Sequence, residues 1–140
     1  MINDNLALTG ALTIEVNNVV VQTAENLVVT AGKNWVADRM NNANTVMTHM
    51  AVGTGTTAAA AGNTTLVSES DRNTLTSTTV TNNAVAYVAT WAAGDATAAL
   101  TEAAILDAAS GGDMLARTVF SVVNKGAADS MTITWTITVS

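Results

Sequence analysis

Few side chains in this sequence are equipped for chemistry, and they are widely spaced. His49 is the one histidine in 140 residues. As a base or a ligand it needs a carboxylate or hydroxyl partner delivered by the fold. Most metal sites need a second histidine, which is absent. His49 lies in an apolar stretch with Met47 and Ala51 as same-face neighbours, and a structural role is expected. Glu69, Asp71 and Arg72 form the densest charge cluster. Paired carboxylates can do acid–base work, but no aromatic platform for a sugar accompanies them. A local ion pair or an intersubunit contact is expected there. Asp95, Glu102, Asp107 and Asp113 offer the oxygen donors that Ca²⁺ takes. Their spacing matches no EF-hand, which leaves a solvated loop face. Gly53-Thr54-Gly55-Thr56-Thr57 resembles a phosphate loop but lacks the lysine that completes one. It is expected to be a flexible exit from a strand. Asn63-Thr64-Thr65 fits a glycosylation sequon with nothing to support its use. No catalytic, cofactor-binding or metal-ligating residue is therefore expected, and no enzymatic activity.

The composition narrows the classes further. The chain has no cysteine, which removes thiol catalysis, Cys-ligated zinc and iron–sulfur clusters together. Charged residues make up 11% of the chain, with 11 Asp plus Glu against 5 Lys plus Arg and a net charge of −6; about 25% charged is usual. The surface must be covered largely by Thr, Ser, Asn and Ala, which protects poorly against self-association. A homo-oligomer is expected, a dimer before a trimer because two-fold closure is commonest. Nucleic acid is not an expected partner. Lys33, Arg39, Arg72, Arg117 and Lys125 are scattered, whereas phosphate binding takes a cluster. The N-terminus carries no basic region and no long apolar run, so neither a signal peptide nor a membrane span is expected.

Such a chain is held together by strands. Residues 130–140 alternate apolar and hydroxyl side chains without a break. Met131, Ile133, Trp135, Ile137 and Val139 share one face, and the threonines share the other. Leu12, Ile14 and Val16 alternate likewise, and Asn17-Asn18 is a turn signal. Leu27-Val28-Val29 reads as a short strand. Thr30 is placed to cap a helix over about 31–41, although Gly32 weakens its first turn. Residues 45–52 read as a buried strand. Residues 74–81 and 84–92 form a hairpin about Asn82-Asn83, with Val85, Tyr87, Ala89 and Trp91 on one face. Residues 98–106 fit a helical turn or a strand. Residues 107–113 loop, and 114–123 make a strand that returns through 124–129. Trp35, Trp91, Trp135, Tyr87 and Phe120 are expected in the core before they are binding platforms. The tally is an all-β, jelly-roll-like sandwich of about eight strands with one or two short helices, as a single domain over 11–140. Residues 1–10 are expected to be an arm.

Three segments carry a resemblance. They are Asn26 to Lys33 with the helix after it; Met50 to Thr57, continuing through Thr65-Leu66 to Glu69 and Arg72; and Leu100 to Leu106, a Gly-Gly loop, Met114 to Arg117 and the threonine-rich end. In this order they resemble small virion proteins of tailed phages, which serve as tail-fibre, appendage or capsid-decoration modules. Length and composition are most similar to the jelly-roll capsid cement proteins, of the kind a Bordetella podophage carries. The resemblance covers roughly residues 26–140. It implies a non-enzymatic protein, made in the host cytoplasm and placed on the outer capsid surface, with the major capsid protein and further copies of itself as partners. A tail-fibre or baseplate module, some of which bind receptor, is the alternative. The resemblance carries no catalytic residues across.

Overall fold

Ten strands and one helix make up the computed structural model, which describes residues 5–140. The strands are β1 (Leu8–Val16), β2 (Val19–Glu25), β3 (Leu27–Val28), β4 (His49–Gly53), β5 (Glu69–Thr74), β6 (Ser77–Thr81), β7 (Ala84–Trp91), β8 (Ala98–Leu106), β9 (Met114–Lys125) and β10 (Met131–Val139). Helix α1 spans Thr30–Met40. Two antiparallel five-stranded sheets face each other, ordered β2-β1-β10-β7-β6 and β3-β9-β8-β4-β5. The chain changes sheet after β2, β5, β7 and β9, which gives the sandwich its jelly-roll-like winding.

Alternation builds the first sheet as expected. Ile133, Trp135 and Ile137 of β10 are buried, Thr134 is exposed, and Thr132 and Thr136 are half-covered. Tyr87, Ala89 and Trp91 join them from β7, and Leu12 and Ile14 from β1. Asn17 and Asn18 both sit at positive φ, 51° and 65°. That is the paired left-handed conformation a two-residue hairpin turn requires, and asparagine tolerates it well. Asn82, at φ 53°, turns the β6–β7 hairpin.

Several boundaries differ from expectation. β1 begins at Leu8, where Leu8 pairs with Val139, so the last residues of the expected arm belong to the sheet. Ala7 also exchanges both backbone bonds with Ser140; residues 1–4 lie outside the described residues. Residues 98–106 form strand β8, with its register shifted at Leu100/Glu102. The strand expected over 45–52 pairs only from His49, while Thr45 binds Asp107 instead. Val29, not Thr30, is the N-cap of α1, and no side chain caps it. Gly32 has a packing reason for its place in the first turn. A Cβ there would collide with the Leu115 carbonyl, so glycine lets the helix lie against β9.

Candidate functional site

The polar side chains that invited a chemical reading mostly hold the second sheet together. Glu102 was expected on a solvated loop face; it is instead fully buried on β8. The register pairs Glu102 with Val119 and Ala104 with Arg117, which makes Glu102 and Arg117 diagonal neighbours across the ladder. The Arg117 guanidinium donates to Glu102 Oε2 at 2.8 Å, and neither side chain is exposed. Glu102 also accepts the backbone N–H groups of Gly55, Val67 and Ser68 at 2.7–3.0 Å. Arg117 also donates to Asn63 Oδ1 and the Thr57 carbonyl. Burial alone pushes the Glu102 carboxyl up. Arg117 and the three amides outweigh this and hold it below the usual carboxylate range.

The expected flexible exit after Gly53 is thus a tied segment. Residues 54–68 wrap over a buried ion pair, and Thr101 Oγ1 anchors the Gly55 carbonyl at 2.8 Å. Gly53 and Gly55 are required there, because a Cβ at either would meet Glu102 Oε1 within 2.7 Å. A sequence signal for this node exists. Glu102 interrupts an apolar run, and a charge inside such a run needs a buried partner.

The other candidates are also tied locally. Arg72 bridges Glu69 at 2.8 Å, the expected local ion pair, and also donates to the Ala108 and Gly111 carbonyls. His49 Nδ1 lies 2.7 Å from Thr48 Oγ1, and Nε2 lies 3.4 Å from Thr74 Oγ1. Asp107 and Asp113 close one loop: Asp107 Oδ1 accepts the Asp113 N–H, and Asp113 Oδ2 accepts Asn44 Nδ2. Asp95 is exposed between β7 and β8, away from them in sequence. Asn63 of the sequon is half-buried against Arg117. Lys125 is buried and donates to the Ala92 and Asp129 carbonyls. Among the described residues no three His, Asp or Glu side chains cluster to hold a metal, and no helix is long and apolar enough to cross a membrane.

The opposite arrangement holds on the outer face of the first sheet. The registers set Thr23, Thr13, Thr134, Val88 and Ser77 side by side across five strands. The next row is Glu25, Ala11, Thr136, Ala86 and Thr79, followed by Thr9, Thr138, Ala84 and Thr81. Thr132 and Thr90 continue it, their hydroxyls 3.2 Å apart. Strands lie about 4.8 Å apart and same-face residues about 6.8 Å apart along a strand. The array is a plane of methyl and hydroxyl groups roughly 20 Å across on that spacing. Its only charged residues are Glu15 and Glu25, toward the β2 edge. Such a face offers shape and hydrogen-bonding groups to a neighbour, with its two carboxylates set toward one side.

No family model, curated protein or solved structure matches this chain.

Proposed function

We propose that this protein is a virion structural component, a capsid cement or decoration protein that binds the outer surface of a phage head and bridges major capsid subunits. The observation that carries the reading is the threonine face of the first sheet, uncharged at its centre, set against a second sheet whose buried charged groups, Glu102, Arg117 and Lys125, are consumed internally. A plane of Thr, Ala and Val with no ionisable group at its centre suits a broad contact with another protein. The likeness of the three segments in 26–140 to tailed-phage virion proteins gives that contact its partner. A face roughly 20 Å across is smaller than the ~800 Å² each partner contributes to a standard interface. Bridging two or more subunits from several parts of the surface makes up the difference by raising the effective concentration of each further contact. The protein acts in this reading by buried area, without catalysis, cofactor or metal.

The test is stoichiometry in purified particles. A cement protein appears in amounts comparable to the major capsid protein. A band corresponding to a few tens of copies or fewer per particle places it in the tail fibre or baseplate instead. Absence from particles sinks both readings. Sedimentation of the isolated chain then checks self-association, with a dimer expected.

A further inference from the structure

A groove crosses the end of the sandwich where β2 leaves the first sheet. β1 and β2 pair as far as Ala11 and Glu25, and the Asn26 N–H closes that ladder on the Gly10 carbonyl at 3.0 Å. The chain then turns into β3, while β1 continues alone along β10 to Leu8. Ala7 gives both its backbone bonds to Ser140. Successive strand residues turn their backbone groups to opposite sides, so Leu8 points its N–H and C=O to the side β2 has vacated. Nothing among the described residues pairs with them. This is a short open strand edge.

Two cavities meet along that edge. One, of about 410 Å³, lies between Leu8–Ala11, Glu25–Val28 and Lys33. The other, of about 480 Å³, is walled by Leu6, Leu8, Val36 and Met40 and again by Lys33. Leu6 and Met40 are 74% and 84% exposed, among the most exposed large apolar side chains of the protein. Lys33 stands where the two cavities join. Arg72, Arg117 and Lys125 spend their charge inside the fold, and Arg39 donates to the Asn44 carbonyl. Lys33 has no ion pair and no side-chain hydrogen bond among the described residues. A chain of net charge −6 thus places a cation with no ion pair among the described residues in a groove whose first cavity is of mixed polarity and whose second is mostly apolar, beside an open strand edge.

We propose that this groove docks an extended segment of a partner protein, one that carries a carboxylate next to a bulky aliphatic residue. The segment adds to the β1 edge through the backbone of Leu8, as in strand-addition complexes. Its carboxylate lies on Lys33, and its aliphatic side chain fills the space between Leu6, Val36 and Met40. Glu25 also lines the first cavity; its carboxylate repels an acid placed beside it and so favours the direction that sets the segment's acid on Lys33. The inference goes beyond capsid binding as such and holds whatever the chain decorates.

The probe is the tetrapeptide acetyl-Ile-Asp-Val-Leu-amide, with acetyl-Ile-Lys-Val-Leu-amide as its charge-reversed counterpart. Each is titrated into the ¹⁵N-labelled full chain up to roughly 10 mM, because so short a segment is expected to bind near millimolar. The acidic peptide is expected to shift the amides of Leu8, Lys33 and Met40 and to bind roughly fivefold more tightly than the lysine peptide, the effect of one partly exposed ion pair. Lys33→Glu, on the solvent side of α1, should reverse that preference with the fold unchanged. Equal affinity for both peptides, shifts centred elsewhere, or no shift at the highest concentration overturns the proposal. Residues 1–4 include Ile2 and Asp4, a segment of similar chemistry. Binding seen only after those four residues are removed would make the chain its own ligand, and would overturn the partner assignment too.

Discussion

The two sheets of this sandwich solve the same packing problem in different ways. The first buries one face and leaves the other to solvent, so β10 alternates strictly between Ile or Trp and Thr. The centre of the second, β4 and β8, is covered on both sides. Residues Leu100 to Leu106 of β8 are all buried, with the core on one side and residues 54–68 on the other. A second small cluster of Val29, Ala51, Leu66, Ala104, Leu106 and Met114 fills that outer side. A strand with no wet face has no reason to alternate. The covering segment has little secondary structure of its own, so its backbone amides need partners. Glu102, held by Arg117, supplies three of them. The first sheet is therefore stabilised by apolar area with little polar apparatus, and the second by apolar area organised around one buried ion pair.

The largest expected loss tests the first sheet. Trp135 is fully buried, and its Nε1 donates to Asn26 Oδ1 at 2.7 Å. Removing a large buried aromatic costs about 3–5 kcal/mol. The lost bond adds about 1–3 kcal/mol for an acceptor left without its donor. Asn26 Nδ2 already lacks a partner among the described residues, so the side chain would then have none at all. Trp135→Ala should accordingly consume much of the ~5–15 kcal/mol stability of a domain. Denaturant titration of the variant reads this directly. A loss under about 1 kcal/mol would mean that the β10 apolar face is not the core.

The matching change in the second sheet is Glu102→Ala, with an expected cost of about 3–5 kcal/mol because Arg117 is left buried and unpaired. Its distinguishing signature is local. The amides of Gly55, Val67 and Ser68 should lose hydrogen-exchange protection before those of β10 do. Replacing both partners by apolar residues, Glu102→Leu with Arg117→Met, should be milder than either single change. If the double variant is the worse one, the ion pair contributes net stability beyond organising the segment.

Acid separates the sheets more gently. The folded Glu102 carboxyl is held below its ordinary range, so its folded pKa lies below its unfolded value of about 4.3. The unfolded chain then binds the proton more readily, and stability falls as pH falls. The contribution is fully present above the unfolded pKa and is lost as pH drops through the folded one. The stability gap between the native chain and Glu102→Gln should therefore narrow steadily below about pH 4. Asp129 is also held low, by the Asn17 side chain and the Gly126 amide, and it acts in both proteins alike. A gap that stays constant between neutral pH and pH 3 would show that Glu102 is not the group being titrated.

How much of this was legible beforehand follows from the same difference. The pattern of β10, the Asn-Asn hairpins and the burial of Tyr87 and Trp91 could all be read, because each follows from one wet and one dry face. β8 stayed ambiguous between helix and strand, since seven buried residues in a row fit either period. Glu102 was misplaced because its partners, Gly55, Val67, Ser68 and Arg117, lie 15–47 residues away, and sequence spacing says nothing about diagonal pairs in an unknown register. The start of β1 was missed for a related reason. Leu8–Gly10 carry no alternation of their own and become a strand by pairing with β10.

The smallest effect on folding is also the sharpest test of function. Thr134 sits on the wet face at the centre of the threonine plane, flanked by Thr13 and Val88. Thr134→Ala removes a hydroxyl that makes no hydrogen bond among the described residues, and a surface change of this kind usually stays within about 0.5 kcal/mol. Thr134→Arg should fold almost as well, because its long side chain extends into solvent. Under the proposed capsid role the two differ. If the threonine plane is the capsid contact, an arginine at its centre places an unpaired charge in a desolvated interface and should abolish decoration, while alanine leaves decoration nearly intact. Both variants are mixed with particles stripped of the protein, and the bound fraction is measured after sedimentation. Full binding by a folded Thr134→Arg protein would remove this face from the interface. The contact the proposal requires would then lie with the exposed edge of β2 at Val19 and Val21, or with the groove beside Lys33, and the same assay with Val19→Arg and Lys33→Glu decides between them.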